Sequence, residues 1–120
     1  MDNQLNVLGT HLALCDCNTG YARKGFCEVP NSDVGNHSVC AVMTNAFLQF
    51  TLAQGNDLIS PNPMYNFPGL KAGDKWCLCA SRWLQAAQAN VAPPVILEAT
   101  HQKALQQISL AILQAHQYQG

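Results

Sequence analysis

Cys77 and Cys79 stand two residues apart in the run 75–79, which reads as a strand. A period of two then puts both thiols on one face and Trp76 and Leu78 on the other. The same arithmetic over 37–43 (His-Ser-Val-Cys-Ala-Val-Met) sets Ser38, Cys40 and Val42 on one face and His37, Val39, Ala41 and Met43 on the other. If these strands are neighbours with matching faces, Cys40, Cys77 and Cys79 form a cluster, and two chemistries suit it. As a metal site, ligands drawn from Cys40, Cys77, Cys79 and His37, with Cys15, Cys17 or Cys27 recruited from the irregular segment, would complete the four thiolate or imidazole ligands that structural zinc takes. As a thiol-dependent enzyme, one of Cys40, Cys77 or Cys79 would be the nucleophile, paired with His37 or His101, because a nearby imidazolium favours the thiolate. Nothing in the spacing selects one pair. Both Cys-x-Cys pairs are one residue tighter than the Cys-x-x-Cys of common zinc sites, which favours a third reading: cysteines that pack the core as small apolar groups.

A second candidate lies at Glu98 and His101, which bracket a junction where a short strand meets a helix. Ligands often bind at such junctions when helices flank a sheet. A carboxylate and an imidazole there could serve as acid and base or as metal ligands. The bland alternative has Glu98 holding backbone amides and His101 exposed in a first helical turn. Asp57 and Asp74 sit in turn sequences and are explained by them. The chain carries no phosphate-binding glycine loop, nucleophile elbow or His-Glu-x-x-His motif.

The elements that must position these residues follow from pattern. Residues 5–8 alternate and end at Gly9, which predicts a short strand; 15–36 is rich in turn formers, with one extended stretch at 25–29. The strand at 37–43 feeds a helix capped by Thr44 and stopped at Gly55. Residues 56–73, with three prolines, form a long loop anchored by Leu58, Ile59, Met64, Tyr65, Phe67 and Leu70. A second strand-then-helix unit follows, with Ser81 as the expected cap. Asn90 ends that helix, 95–98 makes a further strand, and Thr100 caps the last helical region, which Ser109 either restarts or sits within. The fold class expected is α+β, a small mixed sheet with an irregular, β-rich N-terminal third. The three later strands would form a thin parallel sheet, and a small α/β fold is the alternative.

One domain spanning 1–120 fits the length. Charged residues are 11% of the chain, below the roughly 25% of ordinary soluble domains, and amides take their place. With a net charge of -1 and scattered Lys and Arg, no basic stripe exists to bind nucleic acid. No signal-peptide pattern opens the chain and no apolar run is long enough for a membrane span, so a cytoplasmic address with reduced cysteines is expected.

The segments 6–10 (Asn-Val-Leu-Gly-Thr), 37–44, 55–58 (Gly-Asn-Asp-Leu), 67–70 (Phe-Pro-Gly-Leu), 73–79 (Gly-Asp-Lys-Trp-Cys-Leu-Cys) and 97–101 (Leu-Glu-Ala-Thr-His), in this order, resemble the uncharacterised bacterial family called domain of unknown function 2237. The resemblance implies a single-domain cytoplasmic protein and brings no activity, substrate or catalytic residue with it. One departure is Ser109, where the family pattern has Pro. Function is therefore open between a non-catalytic domain, with a small-molecule ligand, and a metal- or thiol-dependent enzyme. A third possibility is an interaction module presenting Met64, Tyr65 and Phe67.

Overall fold

The structure, a computed structural model, describes residues 4–15, 25–65 and 67–119. Two short strands, β1 (Val39–Val42) and β2 (Lys75–Leu78), pair antiparallel with Val39 opposite Leu78, Cys40 opposite Cys77, Ala41 opposite Trp76 and Val42 opposite Lys75. Each strand runs into a helix: α1 (Asn45–Ala53) after β1 and α2 (Ala80–Gln88) after β2. A third, short helix, α3 (Leu110–Ala115), comes near the C-terminus. The class is a small mixed α+β fold, as the sequence implies.

The parallel three-stranded sheet does not form. The β1–β2 pair is antiparallel, and Val95 contributes isolated bridges to Ala41 and Gln117 rather than a strand. After Val95 the chain coils at once into a 3-10 turn, Leu97–Ala99. Residues 5–8 likewise yield bridges, Leu5 to His11 and Asn6 to His101, instead of a strand, and 25–29 is irregular. The physical reason at Asn6 is its side chain: Nδ2 donates to Thr10 Oγ1 and to the carbonyls of His11 and Glu98, while Oδ1 accepts from the amides of Leu8 and Thr10. Side-chain bonds of this kind compete with a sheet ladder.

The two faces of the β1–β2 ribbon bury different things. One carries Val39, Ala41 and Leu78 into the main core with Phe47 and Leu48 of α1, Trp83 and Ala86 of α2, and Leu113 of α3. Fully burying side chains such as Phe47 and Leu48 stabilises by about 1.5–3 kcal/mol each. Trp83, without exposed surface, satisfies its indole N–H on the Pro93 carbonyl at 3.0 Å. The other face carries Cys40 and Cys77, packed with Cys15, Cys27, Ala99 and Ile96.

Caps are only partly those expected. Thr44 accepts from the Phe47 amide and starts α1, and Gly55 is left-handed at its end. Asn90 is left-handed after α2, and Ser109 accepts from the Ile112 amide, so it restarts the helix as α3. At α2 the N-cap is Cys79 rather than Ser81. At the 3-10 turn Gln102–Gln106 it is His101 rather than Thr100, which accepts from the Cys40 amide and donates to the Ile96 carbonyl. In the long loop Phe67 is buried and stacks edge-on against Trp76, whereas Met64 is exposed. The Tyr65 side chain lies outside what is described.

Candidate functional site

The antiparallel register places the residue that leaves β2 beside the one that enters β1. Since 39 lies opposite 78, the next position along β2, Cys79, falls opposite Ser38 and next to His37. Cys79 Sγ sits 3.2 Å from His37 Nε2. On its other side the imidazole Nδ1 donates to Asp33 Oδ1 at 2.7 Å, and Asp33 Oδ2 accepts the His37 backbone amide at 2.9 Å. Thiol, imidazole and carboxylate thus stand in line, in the geometry of a nucleophile, a base and the group that orients the base.

Local sequence explains each placement. Asp33 closes a turn by donating its amide to the Pro30 carbonyl, and the Asn36 amide returns to the Asp33 carbonyl. Asn36 holds φ at 52°, a left-handed conformation that Asn tolerates better than most residues. Its carbonyl accepts from both Ser38 and Ala80, so one peptide group ties the His37 segment to the start of α2. Gly35 lies against the pair: a Cβ there would come within 2.8 Å of His37 Cε1 and 3.3 Å of Cys79 Sγ.

The Asp33 side chain is 1% exposed and that of His37 35%, so the carboxylate is enclosed while the imidazole reaches solvent. The His37 pKa is raised from 6.5 to about 9, first by the hydrogen bond to Cys79, against the opposing effect of burial, and then by Asp33. At neutral pH the ring is therefore an imidazolium facing the Cys79 sulfur. Cys79 is also the N-cap of α2, where the first-turn amides and the helix dipole favour negative charge.

The other candidates go elsewhere. Cys77 and Cys40 are cross-strand partners on one face, as expected, but each is bonded to a loop cysteine: Cys15 to Cys40 and Cys27 to Cys77. This corrects the expectation of reduced packing thiols and removes Cys40 and Cys77 both as nucleophiles and as metal ligands while those bonds stand. Among the described residues Cys79 is the free cysteine, and Cys17 lies outside them. Cys79 and His37, named above as zinc ligands, come together as a hydrogen-bonded pair completed by a carboxylate.

His101 is held by local hydrogen bonds. Its Nδ1 accepts from the Lys103 amide at 3.0 Å and its Nε2 faces Gln4 Oε1, which fixes a neutral tautomer. Burial, with a smaller effect from the Lys103 cation, lowers its pKa. Glu98 has an exposed side chain; its carbonyl accepts from the Ala13 amide and Asn6 Nδ2. His101 nonetheless lines a cleft of about 380 Å3 with Gln4, Val29, Pro30, Asn31, Gln102 and Lys103. Asp33 was not among the sequence candidates. Its signal, an acid four residues before a histidine across a Gly-Asn turn, is too common to stand out.

Two comparisons complete the description. Residues 5–117 match the model of a family described as an uncharacterised protein conserved in bacteria. No curated protein matches the chain.

Proposed function

Since the chain belongs to this family of uncharacterised bacterial proteins, we propose a function from the chemistry of its own residues: a thiol-dependent enzyme of the acyl-transfer or acyl-hydrolysis class. The observation that carries the reading is the Cys79–His37–Asp33 line, with contacts of 3.2 and 2.7 Å. In this scheme Cys79 Sγ attacks an electrophilic carbonyl carbon and the carbonyl π pair moves to oxygen. The Ala80 amide is taken by the Asn36 carbonyl, and the next first-turn amides of α2, those of Ser81 and Arg82, which have no acceptor inside the helix, suit that oxyanion. Collapse of the adduct breaks the bond to the leaving group, which takes the His37 proton. Water, deprotonated by His37, then releases the acyl group from sulfur. Asp33 touches no substrate; it holds the ring through Nδ1 and favours the imidazolium.

A second reading, a small-molecule-binding domain without catalysis, draws on the cleft beside His101 and Lys103. Whichever holds, no helix among the described residues is long and apolar enough to cross a membrane. A cytoplasmic address would expose the two disulfides to reducing conditions.

Incubation with p-nitrophenyl acetate, followed by peptide mass spectrometry, tests the enzyme reading. A burst of nitrophenolate and an acetyl group on Cys79, both abolished in Cys79→Ala and slowed in His37→Asn, are expected. An acylation rate equal to that of free cysteine would remove the reading.

A further inference from the structure

On the sheet face away from the main core, two disulfides share one buried cluster. The Sγ atoms of Cys15, Cys27 and Cys77 lie within 4.8 Å of one another, and the fourth, Cys40 Sγ, is bonded to Cys15 and projects from β1 directly opposite Cys77. All four residues are buried, and Ala99 and Ile96 close the surroundings. Two strand cysteines and two loop cysteines from separate parts of the chain thus share this cluster. Cross-linking alone would be served by two disulfides placed anywhere.

We propose that this cluster is a tetrathiolate metal site when the disulfides are reduced, taking one thiophilic divalent cation of the zinc class. A tetrahedral zinc–sulfur site has bonds of about 2.3 Å, which places its sulfurs about 3.8 Å apart. The Sγ atoms of Cys15, Cys27 and Cys77 lie within 4.8 Å of one another, and the two bonded pairs, Cys27–Cys77 and Cys15–Cys40, move apart to the tetrahedral spacing when reduction opens them. The donor set selects the ion: four soft sulfurs hold zinc or cadmium and reject calcium and magnesium, which require oxygen. Cys-x-Cys spacing does not count against the site, because its ligands come from positions 15, 27, 40 and 77 and not from a single tight turn.

The chemistry balances with a dithiol as reductant. Two dithiol molecules deliver four electrons and four protons, the Cys15–Cys40 and Cys27–Cys77 bonds break, and the reductant leaves as two cyclic disulfides. Binding of the cation then displaces four thiol protons. The metal joins the same four positions that the disulfides join in the oxidised protein, so the loop and strand segments stay connected in either redox state. Cys79 takes no part, and the site is independent of the thiol-enzyme reading.

The test uses the full chain, reduced anaerobically with excess dithiol, freed of reductant, and titrated with Co2+ and with Zn2+. One Co2+ per chain with the visible spectrum of a tetrahedral thiolate site is expected, together with one tightly held Zn2+ that shields four thiols from a thiol reagent. Near-UV circular dichroism should still report the packed Trp83. Cys40→Ser and Cys27→Ser should each weaken Zn2+ binding more than tenfold, Cys79→Ser should leave it unchanged, and Ca2+ should not bind. If a single-site variant fails to fold, the stoichiometry and thiol protection of the unaltered chain decide. Absence of one-to-one binding, dependence on Cys79, or binding only by a chain that has lost its near-UV signal would overturn the proposal.

Discussion

Replacing Cys79 by Ser is expected to lower the His37 pKa well below its value in the unaltered protein, and replacing Asp33 by Asn to lower it less. In the unaltered protein the pKa stands at about 9 against 6.5, a difference of 9 − 6.5, or about 2.5. That difference is a factor of about 300 in the protonation equilibrium, and at pH 7 it makes about 99% of the rings imidazolium, where an ordinary histidine would be about 24%. The largest cause is the hydrogen bond to Cys79; burial opposes it, and the Asp33 hydrogen bond, the Cys79 charge and the Asp33 charge add to the rise. Without the thiol, burial still lowers and Asp33 still raises the pKa, so His37 in Cys79→Ser should titrate well below about 9. In Asp33→Asn the sulfur contact persists and the pKa should stay clearly raised. The assay is the Cε1–H proton signal of His37 followed by NMR over about pH 5–10, assigned by its loss in His37→Asn. A kinetic companion is alkylation of Cys79 by iodoacetamide at pH 7. It should be slower in His37→Asn, which removes the imidazole that faces the sulfur. A His37 that titrates at or below 6.5 in the unaltered protein, or falls further in Asp33→Asn than in Cys79→Ser, would refute the reasoning.

Three further outcomes follow from the same contacts. Gly35→Ala puts a Cβ 2.8 Å from the His37 ring without requiring a left-handed backbone, so Cys79 alkylation should slow several-fold while the urea midpoint moves by no more than about 1–3 kcal/mol in stability; an unchanged alkylation rate would show that the ring has room to move. Removing the Cys27–Cys77 cross-link, with its separation of 50, should cost about 4 kcal/mol in urea unfolding, and removing Cys15–Cys40, with its separation of 25, about 3.5 kcal/mol; losses under about 1 kcal/mol would contradict the loop-closure account. His101 has a folded pKa below its unfolded value, so its contribution to stability is present above the ordinary 6.5 and is lost as pH falls through the lower folded value; this acid sensitivity should be absent in His101→Gln, as read by urea midpoints across that window.

Much of this protein was legible from spacing alone. Thr44 and Gly55 bound α1 because a hydroxyl acceptor and a left-handed glycine solve the same end problems wherever they occur, and Ser109 restarts α3 for the first of those reasons. The period of two correctly put Cys40 and Cys77 on one face and Trp76 and Leu78 on the other. Strand direction was a different matter. Alternation is the same in parallel and antiparallel ribbons, yet direction decides the site: in a parallel pair His37 would lie beside the start of β2, some 13 Å of strand away from Cys79. The antiparallel register brings them to 3.2 Å.

Partner choice among the cysteines has the same origin. The sequence by itself determined the residue types, the helix ends and the two faces of the ribbon, since these depend on neighbours along the chain. Only the tertiary structure decided that Cys15 and Cys27 fold back to meet Cys40 and Cys77, that Asp33 turns toward His37, and that Cys79 is left free beside the imidazole. Those contacts join residues 25 to 50 positions apart, or depend on turns whose sequences are common. They are fixed by how loops close over the core rather than by any local period.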